Sequence, residues 1–367
     1  MPERPKGSCI PMTDLATIAA RFAIPAPIGS IQPLGRGLIN DTFLIESGGS
    51  QYVLQRINGA VFSDPSRIMA NLRTLQSHLI DRKPQALRLP SLIPTSEGDN
   101  YLIDDASGSW RLQEYIPDAV TLERIADPFQ AREVGAMLGR FHQSTASLPT
   151  DRLSISLPGF HDTPGYFGRL VQSYASVRIS DPAIDDCLDF VVSRSTLASL
   201  LEQAHGAGDI PSRVTHGDPK LDNILFHGVT GHAIALIDLD TVQPGLLLHD
   251  LGDCLRSCCN RSGENTDDSI TPRFDLDICD GILSGYASTT ADLLRPAEIA
   301  LMYEGIRLLP FELGMRFLTD HLDGDRYFRV EAHGQNLHRA RVQFALVADI
   351  ERQAEQIEQL ILTHFAG

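Results

Sequence analysis

The stretch RVTHGDPKLDNILFHGVTGHAIALIDLD at 213–240 decides the interpretation of this chain. Two short apolar runs, ILF at 224–226 and ALI at 235–237, flank a glycine-containing turn, and this arrangement predicts a β-hairpin. Asn223 comes directly before the first run and Asp238 directly after the second. Because the two ends of a hairpin lie side by side, we expect an amide oxygen and a carboxylate to converge at one end of the ribbon.

Asp218 lies on the loop that enters this hairpin. Mg²⁺ prefers oxygen ligands and keeps several waters, so Asn223 and Asp238 suffice as a predicted metal pair. A carboxylate that does not bind the metal must accept the proton of an attacking hydroxyl, and Asp218 suits that role. Each of these side chains alone could simply stabilise a turn. Together, the spacing HxDxxxxN followed by IDLD favours phosphoryl transfer from a nucleotide.

The composition excludes several classes of protein. The chain has 367 residues, of which 43 % are hydrophobic and 21 % are charged, so it is not a disordered chain and is long enough for two packed units. Its formal net charge of -16 argues against a nucleic-acid partner and against an anionic membrane surface. No run approaches the roughly 18 apolar residues of a membrane span, and residues 1–12 lack the apolar core of a secretory signal. We therefore expect a cytoplasmic protein, and no feature implies a protein partner.

The pattern of apolar residues predicts an α+β fold with two lobes. Residues 1–116 are expected to form a nucleotide-binding lobe around a small antiparallel sheet, and residues 117–367 a larger, mainly helical lobe for catalysis and substrate binding. In the first lobe, Gly48 and Gly49 mark a hairpin. Helices are predicted at 13–23, 64–80, 128–147, 183–205 and 338–364, and strands at 100–104 and 109–116.

The 213–240 segment resembles the catalytic motif of the aminoglycoside phosphotransferase and choline kinase families, which share the protein-kinase-like bilobal fold. The residues that match the catalytic loop are His216, Gly217, Asp218 and Asn223. Ile237 and Asp238 match the metal-binding motif that replaces DFG. The HRD and APE motifs that are typical of protein kinases do not occur, which favours a small-molecule substrate. The resemblance implies ATP and Mg²⁺ as cofactors.

The same fold uses a cation on the third strand of the small lobe to hold nucleotide phosphates. None of the three lysines is on that strand; they are Lys6, Lys83 and Lys220. Arg56 is the predicted replacement, since alternation places it on one face with Tyr52 and Leu54. A solvent-facing arginine is the alternative. The helix at 64–80 contains no Glu to pair with this cation, and Asn71 could supply a hydrogen bond instead.

Two further segments are predicted to bind the nucleotide. LGRGLINDTF at 34–43 would cover it with Gly35 and Gly37, although two glycines are equally compatible with a plain turn. The hinge between the lobes would present backbone groups to adenine, and its residues are Gln113, Glu114, Tyr115 and Ile116.

Longer stretches resemble the N-acetylhexosamine 1-kinases. They are LQRINGAVFSDP at 54–65, IDLDTVQPG at 237–245, RFLTDHLDGDRYF at 316–328 and NLHRARVQ at 336–343. The resemblance implies transfer of phosphate from ATP to the anomeric hydroxyl of N-acetylglucosamine or N-acetylgalactosamine, with a small sugar as the partner. The alternatives are a kinase for another sugar, an amino alcohol or an aminoglycoside, and a nucleotide-binding module without transfer.

RLLPFELGMRF at 307–317 offers candidate sugar contacts. Arg316 and Arg307 are predicted to bind substrate hydroxyls, with Arg316 as the first choice and Glu312 nearby. A salt bridge from Arg316 to Asp320, four residues later, is the alternative.

Two other patterns near the motif suggest metal chemistry only weakly. The pair His249-Asp250 occurs in metal phosphohydrolases, but Asp250 is expected to brace the catalytic loop by hydrogen bonds. Cys254, Cys258 and Cys259 lack the CxxC spacing of a zinc site, and a buried helix is favoured there.

Overall fold

The computed structural model describes residues 12–35, 39–80, 87–176, 181–263, 266, 271–290 and 292–365. It confirms the predicted α+β class, with a small antiparallel sheet followed by a larger helical region. The helices are α1 (Met12–Ala19), α2 (Pro65–Ile80), α3 (Pro128–Thr145), α4 (Thr163–Ser176), α5 (Pro182–Val192), α6 (Leu200–Gly206), α7 (Leu247–Cys259), α8 (Leu276–Thr290), α9 (Pro296–Ala300), α10 (Met302–Leu322), α11 (Gln335–Arg352) and α12 (Ala354–Phe365).

The strands lie in three antiparallel groups. They are β1 (Ile28–Pro33), β2 (Asp41–Ser47), β3 (Ser50–Arg56), β4 (Leu92–Ile93), β5 (Leu102–Asp104), β6 (Gly108–Glu114), β7 (Ala119–Val120), β8 (Arg213–Thr215), β9 (Ile224–His227), β10 (Ala233–Leu236) and β11 (Gln243–Gly245). The main sheet has the order β1-β2-β3-β6-β4 with β5 beside β6, and we call it, with α1, the small lobe. The other groups, β10-β9-β7 and β11-β8, belong with the helices to the large lobe.

The predicted hairpin around Gly48 and Gly49 is confirmed as the β2–β3 turn. Both glycines have positive φ, +57° and +79°, which a two-residue hairpin turn requires and which side chains with a Cβ rarely adopt. The two faces of β3 differ in environment. Leu54 is fully buried in a core cluster that includes Leu15 and Trp110, whereas Gln55 on the opposite face lines the cleft between the lobes.

Two predicted helices are interrupted. The helix predicted at 183–205 is α5 and α6 separated by a 3₁₀ segment at Ser195–Ser199, and Arg194 before this segment pairs with Glu351 of α11. The helix predicted at 338–364 is α11 and α12, which meet at Gln353. The Gln353 side chain donates to the carbonyl of Phe274 at 3.0 Å, so tertiary contacts set this break.

Helices α3 and α8 pack closely against each other. A Cβ on Gly135 would lie 1.9 Å from a carbonyl oxygen of α8, and a Cβ on Gly285 would lie 2.0 Å from a carbonyl oxygen of α3, so glycine permits the close approach. A 2.8 Å hydrogen bond joins Nδ1 of His142 on α3 to the hydroxyl of Tyr286 on α8. In the described segments, no helix has the length and apolar character needed to cross a membrane.

Candidate active site

The β9–β10 hairpin brings Asn223 and Asp238 together, as the sequence predicts. Leu236 pairs with Ile224 across the ribbon, and the amide of Ile237 donates to the Asn223 carbonyl at 2.9 Å. Asp238 turns the chain sharply with φ +62° and ψ 56°, a left-handed conformation that aspartate tolerates better than most residues. Its side chain faces the cleft.

The amide of Asn223 is oriented by the catalytic loop. Its Nδ2 donates to the Asp218 carbonyl at 2.7 Å and to Asp218 Oδ2 at 3.3 Å. Both amide hydrogens are thus directed at Asp218, and Oδ1 receives no hydrogen bond from any residue that the structure describes. This orientation leaves an oxygen free for a cation, which is the ligand type that Mg²⁺ prefers.

The charges of the site also suit a cation. Lys220 Nζ donates to Asp218 Oδ2 at 2.5 Å. Burial opposes ionisation of Asp218, but this ammonium outweighs it and lowers the pKa of Asp218. Desolvation by the surrounding protein and repulsion from the nearby carboxylate of Asp240 raise the pKa of Asp238 to about 6. The side chain is nevertheless open to the cleft. A divalent cation beside Asp238 would relieve this accumulation of negative charge.

The buried carboxylate of Asp250 braces the catalytic loop. It accepts the amides of His216 at 2.7 Å and Gly217 at 2.8 Å, and it contacts His142 Nε2 at 2.9 Å. Burial opposes ionisation of Asp250, but the hydrogen bond from His142 contributes most to a lowered pKa of this carboxyl group. Gly217 has φ +88°, and a Cβ there would lie 2.8 Å from Thr241. The loop before Asp218 is therefore held in one conformation.

His161 joins the catalytic loop to α10, and sequence reasoning missed it. Its Nδ1 lies 3.0 Å from Glu312 Oε1 and its Nε2 lies 2.9 Å from the Gly217 carbonyl. Both partners are acceptors, so both ring nitrogens donate and the ring is an imidazolium. Burial opposes its charge, but Glu312 outweighs it and raises the pKa of His161 to about 8. Burial likewise opposes ionisation of Glu312, and His161 lowers the pKa of Glu312 to about 2.

The predicted nucleotide segments lie along the cleft. Gly35 has φ +72° and lines it, whereas Gly37 lies outside the described residues. Glu114 and Ile116 also line the cleft at the end of β6. The Glu114 amide donates to the Ser91 carbonyl at 2.9 Å, while the Ile116 amide makes no hydrogen bond with the described part of the chain. Ile116 therefore has a backbone donor available at the edge of the cleft.

The prediction for Arg56 needs a correction, because the wrong face of β3 was assigned to the cleft. Arg56 shares a face with buried Leu54, and its Nε donates to Asp41 Oδ2 at 2.8 Å on the neighbouring strand β2. The cleft face carries Gln55, whose Oε1 accepts two hydrogen bonds from Arg111 of β6, at 2.9 and 2.7 Å. Arg111 is 1 % exposed and also pairs with Asp240. The cation on this face of the sheet is thus Arg111, the buried residue of β6 that pairs with Gln55 across the strands.

Asn71 is not directed at Arg56 either. Its Nδ2 donates to the carbonyls of Ser154 at 2.7 Å and Val242 at 2.9 Å, and its Oδ1 accepts the Ser154 amide at 2.8 Å. Asn71 is 1 % exposed, so α2 is fixed to the large lobe by a fully used, buried amide.

The two predicted substrate arginines have different environments. Arg316 lines the cleft, and its guanidinium carbon lies between 5.0 and 5.8 Å from the centroids of four rings, those of Phe160, Tyr166, Tyr327 and Phe328. The alternative salt bridge to Asp320 does not form, since Asp320 accepts backbone amides of the following loop. Arg307, in contrast, pairs with Glu304 at 2.7 Å and Glu351 at 3.1 Å, outside the residues that line the cleft. Its prediction as a substrate ligand is not supported.

Another carboxylate of the cleft, Asp253, was not predicted from the sequence. Asp253 of α7 accepts a hydrogen bond from Arg256 Nε at 2.8 Å through Oδ1. Its Oδ2 is buried and has no hydrogen-bond partner among the residues that the structure describes. A buried acceptor without a donor is costly, which makes Asp253 a candidate ligand for a substrate hydroxyl or amide.

Comparison with known proteins agrees with this geometry. Residues 30–289 match the profile of the phosphotransferase enzyme family, which is more than half of the chain. The chain belongs to the phosphotransferase enzyme family. A curated relative of this phosphotransferase, acyl-CoA dehydrogenase family member 11 from Gallus gallus, is 25 % identical over 236 residues. The match covers 62 % of the phosphotransferase but only 28 % of the relative, so the chain spans little more than a quarter of that protein.

Solved structures confirm the kinase-like fold of the phosphotransferase. A microcompartment-associated aminopropanol kinase has a TM-score of 0.64 at 18 % identity, covering 95 % of this chain and 99 % of that one. Spectinomycin phosphotransferase in complex with ADP and spectinomycin has a TM-score of 0.60 at 15 % identity, covering 95 % and 100 %. Choline kinase from Cryptosporidium parvum Iowa II has a TM-score of 0.61 at 14 % identity, covering 96 % and 98 %.

Proposed function

We propose that this phosphotransferase transfers the γ-phosphoryl group of ATP to the anomeric hydroxyl of an N-acetylhexosamine, with Mg²⁺ as the metal. The observation that carries the reaction type is the convergence of Asp218, Asn223 and Asp238 at one end of the β9–β10 ribbon. Family membership independently supports phosphoryl transfer. The preference for the C1 hydroxyl follows from the resemblance of the sequence to N-acetylhexosamine 1-kinases.

The metal would be held by the free Oδ1 of Asn223 and the carboxylate of Asp238. When bound, Mg²⁺ supplies neutralisation of the charge on the phosphate oxygens. Residues of the protein would stabilise and orient the reacting groups. Lys220 is a cation that contacts Asp218 and is also stabilised by the charge of Asp238, and it would offset negative charge on the transferring group.

Asp218 would act as the base. As the acceptor oxygen forms its bond to the γ-phosphorus, the bond from that phosphorus to the β–γ bridging oxygen breaks, ADP leaves, and the hydroxyl proton passes to an oxygen of Asp218. The side chain is prepared for this role because it is ionised and partly open to the cleft, with 27 % of it exposed. The brace from Asp250 to the loop amides limits its position.

The walls of the cleft near Arg316 favour a neutral sugar over a cationic acceptor. A ring of aromatic side chains is the usual binding site for a quaternary ammonium, but here the guanidinium of Arg316 occupies it. A second cation at this position would be repelled. Arg316 instead offers donors for hydroxyl or acetamido oxygens, and Asp253 Oδ2 offers an acceptor for a hydroxyl or an amide hydrogen.

An amino alcohol or aminoglycoside kinase is the competing assignment. Buried carboxylates would attract an ammonium group, and Glu312 is 1 % exposed beside the cleft. Both of its oxygens are already used, however, since Oε1 contacts His161 at 3.0 Å and Oε2 accepts the Thr163 hydroxyl at 2.5 Å. Glu312 therefore has no free oxygen for an ammonium. The charge of Asp253, the other buried carboxylate of the cleft, is offset by its ion pair with Arg256 at 2.8 Å, so both carboxylates are compatible with the sugar assignment.

An acceptor panel tests the proposal. ADP production should be followed with ATP, Mg²⁺ and, in turn, N-acetylglucosamine, N-acetylgalactosamine, glucose, choline, ethanolamine and kanamycin, with Asp218→Asn as the control for uncoupled ATP hydrolysis. We expect the highest kcat/KM with an N-acetylhexosamine, and phosphorus NMR should locate the product phosphate on C1. A higher kcat/KM with choline, ethanolamine or kanamycin would overturn the sugar assignment.

A further inference from the structure

A second group of ligand-type side chains lies at the end of α10, apart from the proposed catalytic residues. His321, Asp325 and His333 approach one another there, and their ligand atoms all lie within 4.8 Å of one another. His333 Nδ1 is 3.5 Å from Asp325 Oδ2, and His321 Nδ1 is 4.0 Å from Asp325 Oδ1. The two imidazole rings are 5.4 Å apart between centroids.

The environment of His321 points to a missing partner. Its side chain is 10 % exposed, and Nδ1 is buried without a hydrogen bond to any residue within the described ranges. A separation of 4.0 Å from Asp325 Oδ1 is too long for a hydrogen bond. Leaving a buried ring nitrogen unpaired costs free energy, and a cation between the ring and the carboxylate would remove that cost.

We infer that His321, Asp325 and His333 form a binding site for a divalent transition-metal ion of the zinc class. Two imidazole nitrogens and one carboxylate are a ligand set that such ions favour, with solvent as the fourth ligand on the side of His333, which is 87 % exposed. Metal bonds of about 2.0–2.2 Å place tetrahedral ligand atoms about 3.4 Å apart. The spacing of His333 and Asp325 Oδ2 already fits this distance, whereas His321, whose Nδ1 is 4.0 Å from Asp325 Oδ1, must move closer to the other ligand atoms.

Outer contacts orient the carboxylate of this site. Asn336 is fully buried, and its Nδ2 donates at 2.9 Å to both Asp325 Oδ1 and Asp320 Oδ2. Asp320 in turn accepts the amides of the loop that contains Asp325, including those of Tyr327 at 2.8 Å and Phe328 at 2.9 Å. Buried partners that fix a ligand in this way are typical of metal centres. Mg²⁺ prefers oxygen ligands alone, so this site is distinct in chemistry from Asn223 and Asp238.

An ion bound at this site would fix the loop from α10 to α11 at both of its ends. Its ligands come from the end of α10, the start of the loop and the residue before Gly334, which precedes α11. Tyr327 and Phe328 lie between them and face Arg316. A bound ion would hold this loop against the cleft; its effect on the acceptor pocket rests on the proposed function, whereas metal binding does not.

Zinc titration of the full chain, with Mg²⁺ in excess and without nucleotide or acceptor, tests the site. A chromophoric chelator should report the zinc affinity of the wild type, of His333→Ala and of the control His232→Ala, whose side chain is also exposed, at 59 %. We expect binding to weaken at least tenfold in His333→Ala and to stay unchanged in His232→Ala. Equal zinc affinity in the wild type and His333→Ala would overturn the site.

Two further readouts are independent of kinase activity. Co²⁺ in place of zinc should give the visible absorption of a tetrahedral site in the wild type but not in His333→Ala. Zinc should also slow tryptic cleavage after Arg326 and Arg329, which are exposed in the loop, in the wild type only. Zinc protection of the same cleavages in His333→Ala would show that the loop is not fixed by an ion bound at this site. Because neither measurement uses ATP, a failed acceptor panel leaves both results interpretable.

Discussion

Asn40 Nδ2 donates a 2.7 Å hydrogen bond to Asp240 Oδ2, from the loop before β2 to the segment after β10. Arg111 of β6 pairs with the other oxygen of the same carboxylate, and the two side chains of this ion pair are 1 % and 3 % exposed. Asp240 follows the proposed metal ligand Asp238 by two residues. The small lobe is thus anchored beside the proposed metal site by a buried charge pair and a hydrogen bond.

Asp240→Asn should destabilise the protein strongly, because it leaves the Arg111 guanidinium buried without its counter-charge. Removal of one partner of such a buried pair costs about 3–5 kcal/mol in the free energy of unfolding. Urea unfolding followed by circular dichroism measures it. The matched control is Asp41→Asn, which breaks a pair with Arg56 whose side chains are 51 % and 26 % exposed and should cost at most about 1 kcal/mol. Similar losses in the two variants would show that the Arg111 pair does not anchor the lobes.

Arg56→Ala should leave the KM for ATP within about twofold of wild type, since Arg56 shares the face of Leu54 and pairs with Asp41. Lys220→Ala is the comparison variant, and it should lower kcat at least tenfold because it removes a cation from the proposed transfer site. Steady-state kinetics with varied ATP separates the two. A tenfold rise of the KM for ATP in Arg56→Ala would restore the phosphate role predicted from the sequence.

The contribution of His161 to stability should decline as the solution becomes alkaline. Its folded pKa of about 8 exceeds the unfolded value of 6.5, so the contribution is complete below 6.5 and is lost as pH rises through about 8. The shift corresponds to a change on the order of 2 kcal/mol. The negative charges of Glu312 and the nearby Asp253 both favour the protonated ring of His161. His249 stays neutral between pH 6.5 and 8 because burial lowers the pKa of His249 to about 4.

His161→Gln supplies the measurement, because glutamine can donate a hydrogen bond but does not titrate. The difference in unfolding free energy between wild type and variant should be larger near pH 6 than near pH 9 by about 2 kcal/mol. A difference independent of pH would mean that His161 is not an imidazolium in the folded protein.

Arg316→Gln should raise the KM for the sugar at least tenfold with little change in the KM for ATP, since the guanidinium lies in the acceptor part of the cleft. Arg307→Gln is the control on the same helix. Arg307 pairs with Glu304 and Glu351 and does not line the cleft, so both KM values should stay near wild type. Steady-state kinetics with the sugar and ATP varied in turn measures both KM values. Equal effects of the two substitutions would show that Arg316 does not bind the sugar.

Local patterns predicted the approach of Asn223 to Asp238, for a physical reason. Asn223 and Asp238 belong to one hairpin, and strand pairing alone determines that its two ends meet. Asp250 was expected to brace the catalytic loop, and it accepts two loop amides. These contacts depend on short-range geometry that the sequence expresses directly.

Contacts between distant elements were not predictable in the same way. Alternation along β3 separates Gln55 from Arg56 but does not tell which face meets the cleft, and burial of Leu54 against α1 decides it. Arg111 lies on another strand, and its partner Asp240 is 129 residues away. His161 and Glu312 are 151 residues apart, and an isolated histidine in a loop carries no pattern of its own. The partners of such side chains can be identified only from the packed structure, because they lie on elements that are distant in the sequence.

Turnover of Asp218→Asn is the sharpest test of phosphoryl transfer at this site. We expect kcat with an N-acetylhexosamine to fall about 10²–10⁴-fold, while the affinity for Mg-ATP, measured by titration, stays within about threefold. Asp222→Asn, at an exposed carboxylate four residues along the same loop, is the control and should keep wild-type turnover. Near-wild-type kcat in Asp218→Asn at saturating ATP and sugar would exclude Asp218 as the base.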